Sequence, residues 1–351
     1  MRSVRRLAHD RVPPTARRST HRRFRRRISA VAETAVVRRR RGAPRGFRVL
    51  QKTVPGPSVP LPLPCPACGG PTPQRLLWHK HGCAILRCER CGLGRTETAG
   101  FDPEAYYTDG YFSGAHEDGY ADYRGAEPVL RREFARTVDF VRRFRDGGRL
   151  IEAGCAYGFF LAEAARHFDV AGVEIAADAA EFCRDRGLDV ITGVIAPDTL
   201  DRLGTPDVVV MLDVIEHLPA PEETLGLVAA RLAPGGIVVI TTGDFGSAVA
   251  RLTGRRWRLM TPPQHLWFFT VESLRRLAAA HGLVVESVDH PWKTVPASLV
   301  LYQLGRLTGL GPRTMSGTVP VASRLGLPVN LFDAMRVVLR KPDTARGSAP
   351  P

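Results

Sequence analysis

The stretch Arg149-Leu150-Ile151-Glu152-Ala153-Gly154-Cys155-Ala156-Tyr157-Gly158, with Val173-Glu174-Ile175 placing an acid sixteen residues after Gly158, constrains this chain most. A short apolar strand runs into small residues at alternate positions, a helix-forming segment follows, and a second apolar strand ends in a carboxylate. Such a βαβ unit grips a nucleoside-bearing cofactor. Small residues let the backbone approach the ligand, and an acid at the next strand end accepts hydrogen bonds from ribose hydroxyls. A dinucleotide fingerprint reads G-x-G-x-x-G, so that a helix N-terminus meets a pyrophosphate. Here Glu152 stands two residues before Gly154, and Ala156 and Gly158 follow without the three-residue step. A carboxylate in that place suits a cationic ligand and repels a pyrophosphate.

The pattern continues downstream. Residues 176–186 have helical character, 188–192 form a short strand, and Leu203-Gly204-Thr205-Pro206 is a turn. Residues 207–213 read as a fully buried parallel strand with Asp213 at its carboxyl end, followed directly by Val214-Ile215-Glu216-His217-Leu218-Pro219. A helix over 221–232, Pro234-Gly235-Gly236 and a fifth strand over 237–241 complete the series. Over residues 150–290 the chain resembles the class I, Rossmann-like S-adenosylmethionine-dependent methyltransferases. The resemblance implies an α/β fold with a seven-stranded doubly wound sheet, a final antiparallel strand near residues 335–339, and S-adenosylmethionine as cofactor. By the same resemblance Glu152, Gly154, Cys155, Ala156, Gly158, Glu174, Ile175 and Asp213 hold that cofactor. On the residues alone, Gly154 and Gly158 also fit simple turns, Glu174 a solvated strand end and Asp213 a helix N-cap. Ala156 departs from the commoner glycine and leaves less room near the ligand.

Upstream stand Cys65-Pro66-Ala67-Cys68-Gly69 and Cys88-Glu89-Arg90-Cys91-Gly92, with nineteen residues between the pairs. Two C-x-x-C pairs so spaced offer Cys65, Cys68, Cys88 and Cys91 as tetrahedral zinc ligands, and each trailing glycine relieves its turn. This reads as a zinc ribbon whose closed ligand set makes the metal structural. Two disulfides fit poorly, because no apolar-cored signal peptide marks an oxidising compartment. His79, His81 and Cys83 read as surface groups on the ribbon's hairpin, and Cys155 and Cys183 as small packing residues.

Net charge +15 invites a nucleic-acid reading that its distribution removes. Residues 1–50 hold 17 Arg against Asp10 and Glu33, which leaves 33 basic and 33 acidic residues in the rest of the chain. The enzyme-like part therefore gives no charge argument for a phosphate backbone. The leader reads as disordered, and three origins compete: a start site called too early, a solvated tail, or a weak tether to an anionic surface. The expected organisation is the leader at 1–50, a Pro-rich linker at 51–64 and the ribbon at 65–95. A Tyr-rich and helical lead-in at 96–148, the methyltransferase domain at 149–341 and a flexible tail at 342–351 follow. No run of eighteen apolar residues exists to span a membrane, and the expected location is the cytoplasm.

Three segments bear on the acceptor. Tyr106-Tyr107, Tyr111-Phe112, Tyr120 and Tyr123 either close over the cofactor, as the resemblance implies, or pack the ribbon against the main domain. Pro262-Pro263-Gln264-His265-Leu266-Trp267-Phe268-Phe269-Thr270 follows the fifth strand, where ligand crevices form, and offers His265 as a base. His217 is the second candidate base; either imidazole fits a purely structural role equally. Residues 298–307 form an apolar helix covering the acceptor side. The expected reaction moves the sulfonium methyl to oxygen of a small metabolite, sugar, lipid or glycan. C-methylation of a nucleotide-linked keto sugar and a non-catalytic methyltransferase-like binding module are the alternatives.

Overall fold

Strands that are apolar on both faces need cover on both sides, and the main sheet of this protein has it. The computed structural model describes residues 61–98, 101–107, 109–112, 122–298, 300–301 and 324–343. All lie in one compact unit, Pro55–Pro351.

The chain first builds a small antiparallel sheet from β1 (Leu61–Cys65), β2 (Gly70–Lys80), β3 (Cys83–Cys88) and β4 (Gly94–Glu97). His81 and Gly82 turn the β2–β3 hairpin with φ of 49° and 78°, the left-handed pair that a tight hairpin demands. β1 begins inside the stretch expected to be linker. Its Pro62 and Pro64 stand opposite Pro73 and Pro71 of β2. Ladder pairs alternate between bonded and non-bonded, and an edge strand with prolines in the second kind loses nothing.

Three helices follow: α1 (Pro103–Tyr106), α2 (Asp109–Phe112) and α3 (Glu127–Arg142). α3 has Pro128 in its first turn, where the missing N–H is no loss, and buries Val129, Leu130, Val138 and Val141 at helical spacing. The main domain then alternates strand and helix: β5 (Arg149–Ala153), α4 (Phe159–Ala164), β6 (Asp169–Glu174), α5 (Ala177–Asp185), β7 (Val190–Thr192) and α6 (Pro197–Leu203). β8 (Val208–Leu212), α7 (Pro221–Arg231), β9 (Ile237–Gly243) and α8 (Ala248–Thr253) continue it. The last elements are β10 (Trp267–Phe268), α9 (Val271–Ala280), β11 (Val284–Asp289), β12 (Lys293–Pro296), β13 (Gly326–Val329) and β14 (Ala334–Arg340).

The seven-stranded sheet has the order β11-β14-β9-β8-β5-β6-β7. Strands β5 to β9 are parallel, and β14 runs antiparallel between β9 and β11. Alternate residues feed two cores. Ile151, Val173, Val209, Met211, Val238 and Ile240 face α6, α7 and α9, while Leu150, Val208, Val210, Ile237 and Val239 face α3, α4 and α5. The chain winds outward from β5 in one direction through β6 and β7 and in the other through β8 and β9. The crevice therefore opens at the carboxyl ends of β5 and β8.

The ribbon is welded to this domain. Cys65, Cys88, Cys91 and Leu93 belong to the same buried cluster as Ile240 and Phe269, and Ile85 packs with Phe245, Trp257, Met260 and Phe268. Burying such side chains contributes roughly 1.5–3 kcal/mol each, more than the exposed ion pairs nearby can add. β10 also pairs with β4 and becomes the fifth strand of the ribbon sheet. That pairing leaves no mark in the sequence, because a two-residue strand has no period. β12 and β13 form a separate hairpin, also unanticipated. The leader, the linker before Leu61, most of the helix expected over 298–307, Tyr120 and the tail beyond 343 lie outside the described residues. No helix among the described residues is long and apolar enough to cross a membrane.

Candidate functional site

β5 ends in the loop Gly154-Cys155-Ala156-Tyr157-Gly158, where alternate residues turn left-handed: Gly154 at φ 68°, Ala156 at 46° and Gly158 at 71°. A Cβ on Gly154 would stand 2.7 Å from Val214, and one on Gly158 would stand 2.6 Å from Leu188 and 2.8 Å from the Cys183 sulfur. These glycines are thus demanded by backbone angle and by close packing on the protein itself, a stronger reason than room for a ligand. Ala156 tolerates its strained angle because its N–H is held, donating to Glu174 Oε2 at 2.7 Å. Glu174 Oε1 accepts from the Ala176 N–H at 2.8 Å. A single carboxylate thereby ties the glycine loop to the start of α5, with lone pairs to spare for a ligand hydroxyl. It is buried rather than solvated, and burial raises its pKa while these two N–H groups and that of Ile175 oppose the rise.

Glu152 lies inside the protein at 3% exposure, and its Oε2 has no hydrogen-bond partner among the described residues. Burial, then the Cys183 thiol and Glu174, push its pKa well above the ordinary carboxylate value. A buried acid left so is matched by a cationic group, which is what the sequence position suggested. The Cys155 side chain is buried in the core below the loop, so only its backbone faces the crevice edge; Ile175 is half-buried just past β6. The residues present fit a cation bearing a nucleoside: an orphaned carboxylate, a tight left-handed loop and a strand-end acid.

At the end of β8, Asp213 is left-handed at φ 56° and caps no helix side-chain bond; its Oδ1 accepts from the Thr241 hydroxyl at 2.9 Å. Lys293 of β12 donates to the same carboxylate at 3.0 Å and 3.2 Å. A short 3-10 turn, Ile215–His217, follows. His217 Nδ1 lies 2.9 Å from the Gln264 carbonyl oxygen and 2.6 Å from Tyr107 Oη. The His265 ring meets the His217 ring edge to face at 4.6 Å. One donor atom from each of Glu216, His217 and His265 lies within 4.8 Å of the others.

Burial sets the charge of this cluster. It lowers His217 to about 4 and pushes His265 down as well, where the neighbouring His217 adds to the effect. Glu216 is raised to about 8, by burial first and by the Asp213 charge second. At neutral pH the cluster holds two neutral imidazoles and a protonated carboxyl. Both candidate bases are therefore in their proton-accepting form.

His265 is positioned by the ribbon. Thr96 of β4 donates its hydroxyl to the His265 carbonyl at 2.6 Å and its N–H to the Leu266 carbonyl at 2.9 Å. From the other side the Leu266 N–H donates to the Glu216 carbonyl. The described contacts of the Tyr-rich segment are with the main domain. Tyr107 meets Tyr111 and His217, Phe112 meets Tyr157, and Tyr123 stacks on Phe159, so the segment lies on the glycine loop and the turn after β8.

In the ribbon, the four sulfurs of Cys65, Cys68, Cys88 and Cys91 lie within 4.8 Å of one another, with Cys65–Cys91 at 3.6 Å and Cys68–Cys88 at 4.0 Å. A tetrahedral zinc with bonds of about 2.3 Å needs sulfurs about 3.8 Å apart, so the set fits. Gly69 and Gly92 turn left-handed at φ 73° and 77°, each closing its knuckle onto the first cysteine's carbonyl. Cys83, read as a surface group, is instead buried in the hairpin, since its strand alternates inward there, and it lies outside the sulfur cluster. His81 bonds Pro262 O. Tyr107 belongs to the segment expected to close over the cofactor, whereas Glu216, Gln264 and Lys293 were not anticipated as site residues. The acid beside His217 was the only signal for Glu216, and Lys293 reaches Asp213 across 80 residues with none.

A family model described as a methyltransferase domain matches residues 125–288. A ubiquinone biosynthesis O-methyltransferase of a Caulobacter species is 32% identical over 181 residues, which cover 44% of this chain and 70% of that protein. A ubiquinone biosynthesis O-methyltransferase of Paramagnetospirillum magneticum is 32% identical over 139 residues, 37% of this chain and 53% of that protein, so the chain spans about half the length of this relative. Among solved structures, a SAM-dependent methyltransferase from Archaeoglobus fulgidus aligns at a TM-score of 0.41 with 19% identity, over 59% of this chain and 92% of that one.

Proposed function

This chain belongs to the class I S-adenosylmethionine-dependent methyltransferases, and we propose that it transfers a methyl group to oxygen of a small acceptor. The observation that carries the reading is that Val214, at the start of the turn that carries His217, packs against Gly154 of the Glu174-clamped loop, with the His265 ring edge to face on His217. When bound, S-adenosylmethionine supplies an activated methyl on a cationic sulfonium. Glu174 and the loop at 154–158 hold the nucleoside, and Glu152 offers its carboxylate to positive charge. Asp213, ionised against Lys293, borders the cofactor on the β8 side. His265 or His217 would take the proton of the acceptor hydroxyl that receives the methyl group. The curated relatives named above are O-methyltransferases, which favours oxygen over carbon as the acceptor atom.

In this reading Cys65, Cys68, Cys88 and Cys91 hold one structural zinc. None of the seven cysteines is in a disulfide, in keeping with a reducing cytoplasm. The test is twofold. S-adenosylhomocysteine should bind in calorimetry, and methyl-labelled S-adenosylmethionine should label hydroxyl-bearing acceptors as O-methyl products identified by mass. Binding without turnover on any acceptor would favour a non-catalytic module, and label on carbon would favour the keto-sugar alternative.

A further inference from the structure

A second cleft, of about 580 Å³, opens between the ribbon and the carboxyl end of β9. The ribbon contributes Arg75, Arg87 and Arg90, and α8 contributes Arg251. Asp244 and Gly246, which also line it, follow β9 directly, so the cleft adjoins the sheet edge that carries the proposed site. Its acids are already engaged. Glu89 pairs with Arg75 at 3.8 Å, Asp244 accepts from His290 and the Gly246 N–H, and Glu272 pairs with Arg275 and Arg276. Arg87, Arg90 and Arg251 have no carboxylate partner among the described residues. Arg87 is half-buried with its guanidinium over the Phe245 ring at 5.6 Å.

We propose that this cleft binds a phosphate or diphosphate group, and that the acceptor methylated at the neighbouring edge is a phosphorylated small molecule held there by it. Guanidinium groups converging from two elements match the oxygens of a phosphoryl group, and such a group relieves their mutual repulsion. The volume suits a metabolite-sized ligand. The substrate class rests on the methyltransferase reading above, while the anion site does not. Cys88 and Cys91 also line this region, where Arg87 balances part of the charge that they would carry on zinc. Arg251, on α8, separates the two roles.

The experiment titrates inorganic pyrophosphate into the full chain by calorimetry at physiological salt. S-adenosylhomocysteine affinity and zinc content are measured on the same samples. Wild type is expected to bind pyrophosphate with a submillimolar Kd. Arg87→Gln and Arg251→Gln should each weaken it tenfold or more, with S-adenosylhomocysteine affinity unchanged and, in Arg251→Gln, zinc unchanged. Arg256→Gln, in the separate basic cleft beside His79 and His81, should have no effect. Absent binding in wild type, equal affinity in Arg251→Gln, or equal weakening by Arg256→Gln would each overturn the proposal. Loss of S-adenosylhomocysteine binding in wild type with pyrophosphate binding intact would instead remove the methyltransferase reading and leave the anion site standing.

Discussion

Tyr107 Oη lies 2.6 Å from His217 Nδ1, a bond across 110 residues that ties the Tyr-rich segment to the turn after β8. The same nitrogen lies 2.9 Å from the Gln264 carbonyl. It cannot donate to that carbonyl and accept from the phenol at once, so the two contacts describe alternative proton placements. With Nδ1–H on Gln264 O, Nε2 is left with a free lone pair, the form that a base requires. Tyr107→Phe removes one bond to a half-buried ring and should cost about 0.5–1.5 kcal/mol of stability. Urea denaturation checks this, and limited proteolysis should cut the segment at 101–112 faster in the variant.

Glu174→Ala should act on the cofactor and on the loop together. Two backbone donors, Ala156 and Ala176, lose their acceptor, and a ribose contact worth about 1.5–3 kcal/mol goes with them. Calorimetry with S-adenosylhomocysteine should show the loss, and hydrogen exchange should speed at Ala156. Glu174→Gln keeps one carbonyl acceptor and should fall between. Unchanged affinity in a folded Glu174→Ala protein would take the residue out of the site.

Metal and chemistry are linked through β10. Purified protein should contain one zinc per chain, and Cys88→Ser should lose it, with Cys88 only 1% exposed and in contact with Thr72 at 3.1 Å. Because β4 aligns β10 and Thr96 holds the His265 carbonyl, chelation should lower turnover more than S-adenosylhomocysteine affinity. A Tm loss of several degrees is expected, at about 2–4 °C per kcal/mol for a unit of this size. Zinc-free wild type with full turnover would dismiss the ribbon's role.

Stability should fall toward alkaline pH because of Glu216. Its folded pKa of about 8 exceeds the ordinary carboxylate value of 4.5, so the folded state binds more protons between the two. The contribution is fully present below 4.5 and is lost as pH rises through 8. His217 has the opposite sign: lowered from 6.5 to about 4, its contribution is present above 6.5 and is lost as pH falls through 4. Glu216→Gln should therefore flatten the alkaline limb, recovering on the order of a few kcal/mol near pH 9. Urea midpoints for the two proteins between pH 5 and 9 decide it; parallel curves would place the ionisation elsewhere.

The sheet was legible because each parallel strand is a run of apolar residues ending in a special residue. Val208 to Leu212 and Ile237 to Gly243 fill both cores whichever way each side chain points. The four cysteines were legible by spacing. What could not be read is what depends on distant pairing. β10 is a strand only because Gly94 and Arg95 lie beside it, and Lys293 meets Asp213 only because β12 folds back over the sheet edge. Glycine was read as space for a ligand, whereas Val214 and Leu188 show that packing also fixes it. A sequence marks where a residue stands along its own strand and says little about which neighbour fills the space.

The two histidines were candidates for one role from separate segments, and their rings meet edge to face at 4.6 Å. If either takes the acceptor's proton, its replacement by Gln should lower the rate about 100-fold while leaving S-adenosylhomocysteine binding intact. Contact makes the effects interdependent, because His217 helps to keep His265 neutral. The double variant should then be much less impaired than the product of the single losses, with a coupling of about 0.5–3 kcal/mol in the activation free energy. The larger single loss identifies the base. A base at His265 would also predict that the rate is sensitive to Thr96→Val, which removes the hydroxyl bond to the His265 carbonyl and leaves His217 untouched. Near wild-type rates in both single variants would mean that neither imidazole is needed, and that alignment of an acceptor already acidic enough carries the transfer.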